Sequence, residues 1–115
     1  MTNWIKIEEI LRETRDAYLE NPMFDNAMEI NCGYCAEFLK LVVSKLEKEN
    51  IEYKIIVTQD FELMDELEGY ETFETENEDA VSHCYLEIDG WYFDAQDVDG
   101  SEESEMSFLN NSEYI

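Results

Sequence analysis

Cys35, His83 and Asp94 are the residues of this chain whose types and spacing could do chemistry. Cys35 follows Asn31-Cys32-Gly33-Tyr34 and opens a run in which Cys35, Phe38, Leu39, Val42, Val43 and Leu46 recur at helical spacing. A thiol in the first turn of such a helix meets unpaired N–H groups and the positive end of the helix dipole, and both favour the thiolate. His83 is the only histidine and lies in Val81–Ile88, a run that reads as a strand. Asp89-Gly90 then predicts a two-residue hairpin turn, so that Ile88 pairs with Trp91. Asp94 falls diagonal to His83 on the same face, roughly 7–8 Å away at Cβ and within side-chain reach. From there it can hold the imidazole in one tautomer and stabilise its cation. Gln96, opposite His83, is a second candidate orienter. Asn31 and Gln96 are also candidates for an oxyanion donor beside the Cys35 N–H. A nucleophile at a helix start, with a His and an Asp on a hairpin, is an arrangement suited to acyl transfer through a thioester.

Other chemistries compete for the same residues. Cys32-Gly33-Tyr34-Cys35 is a C-x-x-C pair and resembles the motif of thioredoxin-like oxidoreductases. That fold requires a strand before the motif and a later proline facing it, whereas the only proline, Pro22, lies upstream. The two cysteines with His83 and Cys84 offer four zinc ligands, but alternation sends His83 and Cys84 to opposite faces of a strand, against a shared tetrahedral site. No metal is therefore expected. Asp97-Val98-Asp99-Gly100 has the look of a calcium loop, yet Ala95 and Met106 stand where the EF-hand pattern needs an acid and a glutamate. No cofactor is implied.

The elements that must position these groups are readable in outline. Thr2 or Asn3 can cap a first helix that runs to about Glu20, with Trp4, Ile7, Leu11 and Tyr18 on one stripe, and Asn21-Pro22 ends it. Residues 23–30 read as a connector packed on the core. Asn31 is expected to cap the central helix, Gly33 to supply the turn into it, and Glu49-Asn50 to be its frayed end. Residues 51–58 alternate as a strand, and a short helix is expected over Asp60–Glu68. Thr72–Asp79 reads as a solvated loop, and Met106, Phe108, Leu109, Tyr114 and Ile115 as a further strand or docked segment. The expected fold is α+β, with helices packed on a small antiparallel sheet in one domain spanning 1–115.

Gly33-Tyr-Cys35-Ala-Glu-Phe-Leu followed by Ser82-His83-Cys-Tyr-Leu-Glu-Ile-Asp-Gly-Trp-Tyr-Phe-Asp94 resembles the core of the transglutaminase-like, papain-like cysteine enzymes over about residues 31–96. The shared pattern is a Gly-x-Cys opening a helix, a strand starting at His, a short turn with Trp, and then Asp. The resemblance implies Cys35 as nucleophile at a helix N-terminus, His83 as base and Asp94 as orienter. It also implies hydrolysis or transfer at an amide of a protein or peptide-like substrate. The chain is shorter than most members of that family.

Charge bounds the partners. Thirty acids oppose seven bases for a net charge of −23, and from Ile55 onward there are 19 acids and no base. Such a field disfavours direct binding to nucleic acid and favours a basic protein partner. A second function class follows: a small acidic binding or inhibitor protein of the phage or mobile-element type, imitating a nucleic-acid surface on the same scaffold with little or no catalysis. No apolar run approaches the roughly 20 residues of a membrane span, and no signal-peptide pattern is present. With an odd cysteine count, this leads us to expect a cytoplasmic protein without a disulfide framework.

Overall fold

The computed structural model describes residues 2–58, 67, 69–75, 82–106 and 108–109. It is a small α+β domain of three helices and a four-stranded mixed sheet. α1 spans Trp4–Leu19, and its N-cap is Asn3, whose side chain accepts from the Lys6 N–H. The Thr2 hydroxyl instead donates to Asp89 at 2.5 Å. α2, Ala27–Asn31, is a short helix within the expected connector. Asn26 caps it by accepting from the Glu29 N–H.

α3, Cys35–Lys48, buries Cys35, Ala36, Phe38, Leu39, Val42, Val43 and Leu46. Its end is closed rather than frayed. Ile51 N–H donates to Leu46 C=O, Asn50 N–H donates to Glu47 C=O, and Asn50 takes φ +57°. This is a Schellman closure, and it satisfies carbonyls that would otherwise be orphaned. Lys45 and Lys48 in the last turn complement the negative end of the dipole. The closure engages Ile51, so the strand that follows is shorter than alternation suggests.

The strands are β1 (Lys54–Val57), β2 (Thr72–Glu74), β3 (Cys84–Ile88) and β4 (Trp91–Phe93), in sheet order β2-β1-β3-β4. β1 pairs antiparallel with β3, and β3 with β4. β2 corrects the expectation of an antiparallel sheet. Residues 72–74, read as loop, run parallel to β1 with Ile55 opposite Thr72. Local alternation carries little signal for a three-residue edge strand in an acidic stretch. Its Phe73 ring accepts Lys54 as a cation–π partner at 5.5 Å, and Thr75 N–H extends the ladder to Val57 C=O. The short helix expected over Asp60–Glu68 lies outside the described residues except for Leu67.

α1 and α3 cover one sheet face, where Ile7, Leu11, Phe38, Leu39, Ile55, Val57, Leu86 and Phe93 belong to one buried cluster. The other face holds Ile56 and Tyr85 under Met106 and Leu109. The C-terminal apolar residues 106, 108 and 109 are thus a docked segment, while Tyr114 and Ile115 lie outside the described residues. Among the described residues, no helix is long and apolar enough to cross a membrane.

The β3–β4 hairpin has Asp89 at φ +51° and Gly90 at φ +85°, the conformation of a type I′ turn, and it fixes Ile88 against Trp91. Phe93 in β4 is pressed by Gly100, where an added Cβ would stand 2.9 Å from the ring and where φ is +86°. Gly100→Ala is therefore expected to lower unfolding stability by about 1–3 kcal/mol through overpacking and a disfavoured φ, measured by chemical denaturation.

Candidate active site

Cys35, His83 and Asp94 come together at the end of the sheet where α3 begins. They are 5%, 0% and 1% exposed. Each is held by a different element. Cys35 is the first residue of α3. His83 immediately precedes β3, where its N–H donates to the Thr58 hydroxyl at 3.1 Å and its C=O accepts from Thr58 N–H at 3.0 Å. Asp94 immediately follows β4. The hairpin register makes the expected diagonal contact real, since His83 Nε2 lies 3.0 Å from Asp94 Oδ2.

Asp94 is more deeply engaged than a polar residue at a hairpin end. Its Oδ1 accepts from the Gln96 and Asp97 N–H groups, both at 2.8 Å. With Oδ2 on the imidazole and Oδ1 on two amides, the carboxylate is fixed in position and in charge. Burial, the largest influence, pushes its pKa up, but the His83 contact and the two amides outweigh it and hold it below the ordinary value.

For His83, burial is again the largest influence and lowers the pKa. The hydrogen bond to Asp94 and the contact with Cys35 prevail and raise it to about 9. Asp94 occupies Nε2, so the nitrogen left for Cys35 is Nδ1. Nδ1 is buried and makes no hydrogen bond of strict geometry. Cys35 enters through its effect on the His83 pKa, which it raises.

At Cys35 the largest influence is a hydrogen bond from the Cys84 thiol. Burial opposes it, His83 reinforces it, and the net effect lowers the Cys35 pKa to about 4. The same bond, with burial, drives the Cys84 pKa well up. These shifts favour a thiolate at Cys35, an imidazolium at His83, a carboxylate at Asp94 and a protonated thiol at Cys84.

Cys84 is an influence on Cys35 that alternation concealed. Its side chain does point to the helix face and His83's to the other. Both nevertheless influence the Cys35 pKa. Adjacency of the third cysteine to the only histidine was the available signal. Phe108 was also missed. It packs on the imidazole with ring centroids 4.5 Å apart, and Tyr85 stacks at 5.8 Å.

Two of the expected roles are corrected, Asn31 as the cap of α3 and the Gln96 side chain as orienter of His83. Asn31 ends α2 and does not cap α3, whose N-cap, Tyr34, makes no side-chain cap bond. Its Nδ2 donates to Gln96 Oε1 at 3.1 Å. Gln96 therefore orients Asn31, and it touches Asp94 only through its backbone; the partner of His83 Nε2 is Asp94. Asn31 Oδ1 is buried without a hydrogen-bond partner. The calcium-loop acids are engaged as well, Asp97 accepting from the Ser101 hydroxyl and Asp99 pairing with Arg12. Among the described residues, no group of three or more His, Cys, Asp or Glu is arranged to hold a metal.

No family model, no curated protein and no solved structure matches the chain.

Two measurements test this electrostatic picture. Iodoacetamide should label Cys35 at a rate nearly flat between about pH 6 and 8, where an ordinary thiol of pKa about 8.5 speeds up almost tenfold per unit. Labelling of Cys35 that climbs like that of Cys32 contradicts a stabilised thiolate. Asp94→Ala should cost about 3–5 kcal/mol of stability, because it strands a buried imidazolium. His83 titrates near 9 when folded against an ordinary 6.5, so its contribution is complete below 6.5 and lost as pH rises through 9. Asp94, held below 3.8, contributes above that value and loses the contribution in acid. Urea denaturation of wild type and Asp94→Ala should therefore differ most between those limits and converge toward pH 9.

Proposed function

We propose that this chain is a thiol acyl-transfer enzyme of the transglutaminase-like or papain-like kind, acting on an amide or related acyl group. The observation that supports it most is a buried imidazole whose Nε2 lies 3.0 Å from a buried carboxylate, beside a cysteine of lowered pKa. In this reading the Cys35 sulfur attacks the carbonyl carbon. The oxyanion forms near the first-turn amides of α3, which no side chain caps. His83 gives its proton to the leaving amine, a thioester remains, and water or a second amine resolves it with His83 as base. Asp94 holds the imidazole through Nε2 and leaves Nδ1 for the sulfur. Cys35 is 5% exposed, so substrate reaches it only when covering side chains shift. A peptide-like amide, on a basic protein, suits the acidic surface.

A second reading, an acidic binding module on this scaffold, is favoured by the 19 acids and absent bases after Lys54. Glu74 of that stretch is exposed, and Glu76, Glu78 and Asp79 lie outside the described residues.

The activated ester p-nitrophenyl acetate separates the two readings. The enzyme reading expects a burst of nitrophenol and an acetyl adduct on Cys35 detectable by mass, both lost in Cys35→Ser. In His83→Ala both should fall by about 10²–10⁴-fold, the ordinary worth of a positioned acid–base group. Acetylation confined to Cys32 or to lysines opposes it. Unchanged biological effect in Cys35→Ser, with partner binding that weakens as salt shortens the screening length, supports the binding module.

A further inference from the structure

The sheet face turned away from the helices is only half covered. Register places Lys54, Ile56, Phe73, Tyr85, Glu87 and Tyr92 on this face. Lys54 stands opposite Glu87, Ile56 opposite both Tyr85 and Phe73, and Glu87 opposite Tyr92. Met106 and Leu109 pack on Ile56 and Tyr85. The half around Lys54, Phe73 and Glu87 stays open, with Phe73 39% exposed. Two adjoining hollows of about 450 and about 250 Å³ lie there and share those three residues.

The charge of this half-face is unbalanced at close range. Among the described residues lining the hollows, six are acids and Lys54 is the one base. The Lys54 ammonium lies over the Phe73 ring, 5.5 Å from its centroid. Among the described residues it makes no ion pair, and the carboxylates of Glu52, Glu71, Glu74 and Glu87 have neither an ion-pair nor a hydrogen-bond partner. The acids of α1 differ, since Glu8, Glu9 and Asp16 each meet a Lys or Arg. We propose that this open half-face docks an arginine-bearing basic segment of a protein partner, with one guanidinium laid on the Phe73 ring and its neighbours paired with the surrounding glutamates.

Charge and shape select this occupant. Unpaired carboxylates around an exposed ring attract a cation and repel an anion. Lys54 shows that the ring receives a cation. A guanidinium is more weakly hydrated than an ammonium, stacks flat on a ring and meets a carboxylate through two parallel N–H···O bonds, so an incoming arginine displaces Lys54. Lys54 then turns to Glu87, its direct partner across the strands. The inference rests on the basic partner named above and not on Cys35. A chain that binds such a segment and never transfers an acyl group keeps this inference and loses that chemistry. One that acylates Cys35 and ignores the segment does the reverse.

The test uses the full chain and two fluorescein-labelled peptides of equal length, one alternating Arg and Ala, the other Lys and Ala. Binding is read by anisotropy near 0.1 M salt, where the screening length is about 10 Å. The arginine peptide should bind the more tightly, and equally well to Cys35→Ser. Phe73→Leu should weaken it about two- to fivefold, the worth of an exposed cation–π contact, with the salt dependence unchanged because no charge is lost. Glu74→Gln and Glu87→Gln should weaken it and flatten the salt dependence. Glu13→Gln, an equal change of charge on α1 behind the sheet, should do less. Lys54→Ala should tighten binding more than the equal-charge Lys40→Ala, because it removes a competitor for the ring. By NMR of the wild-type protein, the peptide should shift the amides of Lys54, Phe73, Glu74 and Glu87, and this map decides by itself if a variant fails to fold. No binding, or shifts confined to other surfaces, overturns the proposal. Equal losses in Glu13→Gln and Glu87→Gln with Phe73→Leu unaffected would mean diffuse charge attraction and overturn it too. So would shifts at these amides caused by calcium, or by a second copy of the chain, and not by the peptide.

Discussion

His83 and Asp94 meet where water can solvate neither charge. Withdrawing an imidazolium and a carboxylate from water costs several kcal/mol per ion, and their attraction recovers that only when the remaining lone pairs and protons are also satisfied. The chain meets this condition locally. Two amides of the turn that follows β4 occupy the second carboxylate oxygen, and Cys35 further raises the His83 pKa. The cation thus faces a carboxylate that has two further donors, the Gln96 and Asp97 amides. A buried pair of this kind adds little to stability compared with an apolar replacement of the same volume. Folding alone does not account for it.

The geometry of that pair depends on the hairpin turn. Because Asp89 and Gly90 both take positive φ, the loop has two residues and β3 opposes β4 in a single register. A slip of one residue would exchange the faces of Phe93 and Tyr92, drawing Phe93 out of the helix-facing cluster and turning Asp94 away from His83. Phe93 therefore anchors the register from the core side, with Trp4 stacked on it at 6.3 Å and Gly100 against its ring. Thr58 performs the matching task for His83, fixing its backbone at the end of β1.

What the sequence reveals follows from how local each signal is. The two long helices and the hairpin are written in periodicity and in Asp89-Gly90, and the diagonal placement of Asp94 follows from the turn by counting. α2 also had a signal, Asn26 three residues before Glu29, but a five-residue helix has no periodicity to accompany it. Overlooking it misplaced Asn31 as the cap of α3. β2 is fixed by pairing with a strand some 17 positions earlier, as Ile55 opposite Thr72 records, and its own three residues do not encode that. The burial of Asp94 and the approach of Cys84 to Cys35 are likewise tertiary. Strand alternation assigns faces, but it does not say what stands at a strand's end.

The large negative charge and the buried cluster act at different ranges. An acidic field raises the pKa of a histidine and of a cysteine alike, so it favours the imidazolium and opposes the thiolate. Charges more than about 10 Å away are screened at 0.1 M salt, and the thiolate is set instead by contacts: the Cys84 hydrogen bond first, then His83. Ionic strength should therefore leave the state of the cluster nearly unchanged while altering the encounter with any charged partner. The sulfur's chemistry and the surface's choice of partner are physically separable, because one is decided by neighbours in van der Waals contact and the other by a field that salt removes.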